Sequence, residues 1–268
     1  MKKMIGIELK RALCNKRYWL MPLAGLFLAL IGVYRNPYGF KGGPVLHPLG
    51  WFLLILPFTE LAIFAPLLAG FPYSDSFLGD WSHGFLRFVA LRTKYQNYLT
   101  GKLVATAISG GLSIVIVEAI IFLVGLIKPF NLTGRSWFSL SVYSTDYPNG
   151  PFGELALGQP WLYFVFILLC GFLFGACMAL MGLAASTLIR NRFVSLALPV
   201  VFAQLLNFLE PRINHLPEAF NPLLGLFPFS ATLEGGISPL TLLLQYLIIA
   251  SLSALIFWFG AKRLRYSL

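Results

Sequence analysis

Residues 72–102 read PYSDSFLGDWSHGFLRFVALRTKYQNYLTGK. This polar, basic stretch lies between two long apolar runs, and its reading decides the fold. As a helix it places Phe77, Trp81, Phe85 and Phe88 at i, i+4, i+8 and i+11, one apolar stripe. Asp80, His83 and Arg87 fall on the opposite face, and Asp75 can serve as N-cap. Arg92, Thr93 and Lys94 then interrupt the stripe. A short amphipathic helix between two membrane spans is expected to lie at the membrane surface, held by lipid or gripped by a soluble partner.

Composition supports a membrane setting for the flanking runs. Of 268 residues, 58% are hydrophobic and only 11% charged, against about 25% charged in a soluble domain. A soluble fold of this length could not bury so much apolar surface. The three cysteines, Cys14, Cys170 and Cys177, suggest neither a disulfide framework nor a zinc site; Cys170 and Cys177 read as small packing residues.

Outward from the central stretch, the chain reads as an all-α membrane protein with six spans of about 20 apolar residues each. The expected spans are 18–34, 51–71, 103–127, 161–188, 194–209 and 239–260. Residues 2–17 carry six Lys/Arg and repeat Ile5, Leu9 and Leu13 at i+4, the pattern of an interfacial helix on an anionic leaflet. The second span contains Pro57 and Pro66 and is expected to bend. Residues 128–160 form the longest polar segment. Residues 210–237 are too broken to cross and too apolar for a free loop, and read as short helices dipping into the membrane edge.

Charge fixes an orientation. The N-terminus, 72–102, 189–193 and the C-terminal tail hold 15 of the 20 Lys/Arg. By the positive-inside rule these segments, and both termini, are expected in the cytoplasm. The basic balance is therefore read as topology and lipid contact and not as nucleic-acid binding.

Two acids fall inside expected spans. Glu60 and Glu118 each lie ten residues from the outer end of their span, about 15 Å deep and near mid-bilayer. An ionised carboxylate there is costly, so each should be protonated, paired or facing water. They read either as part of a substrate path or as hydrogen-bonded groups within the bundle. Gly171, Gly175 and Ala179 form a small-xxx-small run that permits close helix approach, within the subunit or at a dimer seam. Asn131-Leu132-Thr133 matches a glycosylation sequon. His47, His83 and His215 lie far apart, without metal spacing. Gly101-Lys102 lacks the rest of a nucleotide loop, because Gln96 and Leu103 stand where Gly and Ser/Thr are needed. No catalytic motif is found, so no chemistry is expected of this chain alone.

The run Asp80, Gly84, Arg92, Tyr98, Lys102 resembles the pattern that leads into the third span of ABC-2 permeases, the membrane subunits of a class of ATP-binding-cassette exporters. The basic segment 2–17 is similar to that family's elbow helix, and NPLLGLFPFSATLEG (221–235) to its outer re-entrant segment. Asp80 stands where the family often has Glu. The resemblance is specific over about 75–102. It implies cytoplasmic termini, a dimer of membrane subunits touching through the first and fifth spans, and a separate ATPase that carries ATP and Mg. That ATPase would grip the helix after the second span, with Asp80, His83, Gly84, Arg87 and Arg92 as coupling residues. The stripe 77–88 would seat on the ends of the second and third spans, leaving Asp80 through Arg87 free to enter a cleft on the partner. Bacterial plasma membrane and an amphipathic or hydrophobic cargo follow from the same resemblance. An ion- or proton-coupled carrier using Glu60 and Glu118 stays open, as does, more remotely, an intramembrane enzyme.

Overall fold

The structure is a computed structural model and describes residues 2–35, 48–126, 151–189, 191–212, 221–230 and 238–265. The side chains of Arg87 and Arg92, residues His47 and His215, the sequon at Asn131, most of 128–160 and much of 210–237 lie outside what it describes.

The described residues are helical and include no strand. In chain order the helices are α1 (Lys2–Leu13), α2 (Leu20–Arg35), α3 (Pro48–Ile55), α4 (Leu61–Gly70), α5 (Ser76–Ser82), α6 (Phe85–Arg92), α7 (Tyr95–Gly125), α8 (Gly153–Gly158), α9 (Pro160–Leu188), α10 (Arg192–Leu209), α11 (Pro222–Leu226) and α12 (Pro239–Arg265). Among the described residues, five helical stretches are long and apolar enough to cross a membrane: Lys16–Arg35, which joins a 3-10 turn to α2, and α7, α9, α10 and α12. The molecule is a multi-pass membrane-embedded helical protein.

The expected second span is a bent pair. Leu49–Thr59 and Leu61–Gly70 meet at 83°. The break falls at Glu60, between the two prolines, where the backbone turns left-handed at φ 58°, ψ 20°. Pro57 sits in the 3-10 turn just before it. Thr59, fully buried, secures the corner: its hydroxyl donates to Leu56 O at 2.7 Å and accepts from Leu61 N at 3.3 Å.

The third long helix departs most from the expected span. It begins at Tyr95, eight residues before 103, and runs for 31 residues, about 46 Å against a hydrocarbon core of about 30 Å. Lys102, expected to mark the boundary, is fully buried inside it. Carboxylates from two other segments meet its ammonium, so the helix need not end to expose the charge.

Among the described residues two larger apolar cores hold the bundle, beside a small cluster of Ala12, Tyr73 and Ala105. One is aromatic: Phe52, Phe122 and Phe164 pack with ring centroids 4.4 to 5.9 Å apart, joining α3, α7 and α9. The other gathers Phe77, Leu86, Tyr98, Leu183 and Phe257 from α5, α6, α7, α9 and α12. The small-residue run is a seam within the subunit. A Cβ at Gly175 would overlap Gly110 O, and one at Gly110 would overlap the Ala179 methyl. Helices α7 and α9 therefore touch backbone to backbone.

Candidate functional site

The four basic segments that the charge pattern groups together share one end of the bundle. Tyr95 OH donates to Ala261 O at 2.9 Å, tying the start of α7 to the end of α12. Arg192, at the start of α10, lines a cleft with Arg11 of α1 and Asp80 of α5.

The centre of this end is a buried ionic network. Glu8 of α1 is completely buried although it sits in a strongly basic helix. Its carboxylate accepts from Lys102 Nζ at 3.0 Å, from Arg11 Nη1 at 3.0 Å and from the Tyr73 hydroxyl. Asp80 accepts from Lys102 Nζ at 2.8 Å, from Arg11 Nη2 at 2.8 Å and from Tyr98 OH at 2.7 Å. Lys102 Nζ also donates to Tyr73 OH at 3.2 Å and faces the Tyr73 and Tyr98 rings, at 4.7 and 5.6 Å from their centroids. Two cations thus face two anions, each bridging both partners, so the desolvation of every charge is offset by several short contacts.

Titration follows from this arrangement. Burial alone would raise the Asp80 carboxyl, but the Lys102 charge and hydrogen bonds from Arg11, Lys102 and Tyr98 hold it below its ordinary value. Burial opposes the Arg11 charge, and the hydrogen bond and field of Asp80 more than offset it. Burial and then the Glu8 charge push the Tyr73 phenol up, so it stays protonated and can donate to Glu8.

A second clasp lies beside the network. Arg17 Nη1 reaches both Asp75 oxygens at 2.9 Å, and Asn15 Nδ2 donates to Pro72 O at 3.0 Å. Asp75 stands at the N-cap position of α5, but its carboxylate serves Arg17 and makes no cap hydrogen bond.

These contacts revise the central stretch. The single helix expected over 77–88 is two short helices, because Gly84 takes a left-handed conformation at φ 69°, ψ 7° and breaks it. With the helix broken, the four-aromatic stripe divides. Phe77 is buried against Phe257 of α12, ring centroids 5.3 Å apart, whereas Phe85 and Phe88 are exposed. The seat keeps the expected third span, α7, but α9 and α12 complete it where the second span was expected. Asp80 is not a free docking group; Arg11, Lys102 and Tyr98 occupy it. His83 is exposed, its Nδ1 at 2.7 Å from Gly79 O. The exposed tip thus comprises Ser82, His83, Phe85 and Phe88.

The two intramembrane acids part company. Glu60 pairs with Arg35, the last residue of α2. It therefore stands level with the end of α2 and not at mid-span, because the 83° turn keeps residues 49–59 from advancing along the bundle as a straight helix would. Glu118 is completely buried on α7, and neither carboxylate oxygen has a hydrogen-bond partner among the described residues. The hydrogen-bonded alternative is not what the described residues show there. Gly171 makes the room: a Cβ would lie 2.7 Å from Glu118 Cδ.

Glu8, Arg11 and Tyr73 were missed as site residues by sequence reasoning. A lone acid among six basic residues was the available sign for Glu8. Nothing local marks Tyr73, whose role comes from packing alone. The chain matches no protein-family model, and no significant match connects it to a curated protein or a solved structure.

Proposed function

We propose that this chain is the membrane subunit of an ATP-binding-cassette exporter, with six spans, the bent α3–α4 pair counting as one, and both termini in the cytoplasm. The supporting observation is the buried network that joins α1, α5 and α7 through Glu8, Arg11, Asp80 and Lys102. A permease with no nucleotide loop must receive work from outside, and work needs a stiff path. A push on the exposed tip Ser82–Phe88 passes through Asp80 to Lys102 on α7 and to Arg11 on α1. Helix α7 abuts α9 along the glycine seam, so the displacement reaches the bundle interior.

In this reading ATP and Mg bind on a cytoplasmic ATPase subunit, and this chain holds no cofactor. A second permease, a further copy or a relative, completes the path for an amphipathic or hydrophobic cargo across a bacterial plasma membrane. The ATPase contacts are His83, Gly84 and the aromatic tip, with Arg87 and Arg92 nearby in sequence. Asp80 acts one step behind them as the positioning residue.

The test is whether a nucleotide-loop ATPase is encoded beside this chain and, when co-expressed with it, co-purifies. His83→Asp combined with Phe88→Asp is expected to abolish capture of the ATPase while membrane insertion persists. Full capture by this variant would overturn the reading.

One observation favours a second reading, a proton-coupled carrier. Glu118 is buried without a hydrogen-bond partner among the described residues, and a lone acid in a bundle is a functional candidate by default. Cargo uptake into liposomes driven by a pH gradient without ATPase, and lost in Glu118→Gln, would favour the carrier over the exporter.

A further inference from the structure

The cleft between α1, the 72–85 segment and the start of α10 has a volume of about 470 Å³ and is lined by three arginines, Arg11, Arg17 and Arg192, against two aspartates, Asp75 and Asp80. The aspartates leave part of this charge unspent. Asp75 takes only Nη1 of Arg17. Arg192 is exposed and forms no ion pair among the described residues. Its Nη2 lies over Gly79, where a Cβ would stand 3.7 Å away, so no side chain screens it from that side. A second observation is independent of charge: Ser76 lines the same cleft, and its hydroxyl oxygen is buried with no hydrogen-bond partner among the described residues. Two cations with spare N–H groups and an unpartnered hydroxyl form an oxyanion site.

We propose that the cleft binds the phosphate group of an anionic membrane phospholipid. The surfaces that follow its arginines favour a lipid over a soluble anion. Two residues after Arg17 stands Trp19, 75% exposed, and Phe193, next to Arg192, is 84% exposed. Each opens an apolar stretch long enough to cross the membrane. A phosphate held in the cleft would therefore have its acyl chains along the outward faces of α2 and α10. Arg192 and Arg17 supply charge-assisted donors, Ser76 donates its hydroxyl, and Asn15, also in the cleft, borders the headgroup. The inference does not depend on how transport is energised.

Native mass spectrometry of the full chain in detergent tests this, with phosphatidylglycerol, phosphatidylcholine and inorganic phosphate as separate probes. The wild type is expected to retain one phosphatidylglycerol in preference to phosphatidylcholine. Arg192→Ala with Ser76→Ala should weaken that retention roughly tenfold, the loss of one charge-assisted contact. Arg192→Lys should keep part of it, and Lys94→Ala, an exposed lysine outside the cleft, should keep all of it. Gel filtration checks that each variant is folded. Equal retention of phosphatidylglycerol by the double variant, equal retention of the two lipids by the wild type, or displacement of the lipid by millimolar inorganic phosphate would each overturn the lipid assignment.

Discussion

Lys102 shows at the scale of one side chain how this protein tolerates charge. A lysine with no exposure is stable only if its ammonium is fully paired, and here Glu8, Asp80 and Tyr73 surround it. Lys102→Met removes the cation but leaves two buried carboxylates, so a loss of about 3–5 kcal/mol is expected, read as a lower melting temperature in detergent. Adding Glu8→Gln removes one stranded anion, and the double variant should lose less than the sum of the single losses. The same site has a pH dependence whose sign is fixed. Asp80 titrates below its ordinary value of 3.8 in the folded protein. Its contribution is therefore complete above about pH 4 and is lost as pH falls through the depressed folded value. Melting temperature should show no Asp80-dependent loss between pH 7 and 5. An acid-side loss should appear below about pH 4 and be absent in Asp80→Asn.

At the scale of elements, glycines decide where helices break and how closely they pack. Nothing lies within 4 Å of a Cβ at Gly84, so Gly84→Ala meets only the left-handed backbone and should cost about 1 kcal/mol. On the exporter reading its effect should appear chiefly as weaker ATPase capture, because that turn joins the two halves of the exposed tip, Ser82 with His83 and Phe85 with Phe88. Gly110→Ala is different. Its methyl would meet Gly175 O at 2.7 Å and Ala69 O at 3.1 Å, so α7 and α9 must separate. A loss of about 1–3 kcal/mol is expected, measured by thermal unfolding. The small-xxx-small run was visible in the sequence, but its partner was not: periodicity gives a face and says nothing about which helix covers it. The same limit explains the α5–α6 stripe. Spacing placed Phe77 and Phe88 on one face of a continuous helix, while a left-handed Gly84 gave them different environments.

Over the whole molecule, the basic segments meet at one end, and Cys14 offers a way to ask which side that end faces. Cys14 is exposed, whereas Cys170 and Cys177 are buried. A membrane-impermeant maleimide should label Cys14 in inside-out vesicles and leave it unlabelled in right-side-out ones. Labelling from the outside would reverse the proposed orientation. The sequence by itself determined that the chain is helical and membrane-embedded and roughly where its long apolar helices lie, because these follow from local composition and run length. It also grouped the basic segments, since charge asymmetry accumulates along the chain. Only the tertiary structure decided that Asp80 faces inward, that Glu8 and Tyr73 complete its network, that Glu60 sits at a corner and that Glu118 has no hydrogen-bond partner among the described residues. Each depends on which distant segment supplies a counter-charge or a turn, and contacts across long separations, 94 positions between Glu8 and Lys102 and 166 between Tyr95 and Ala261, leave no mark in the local pattern.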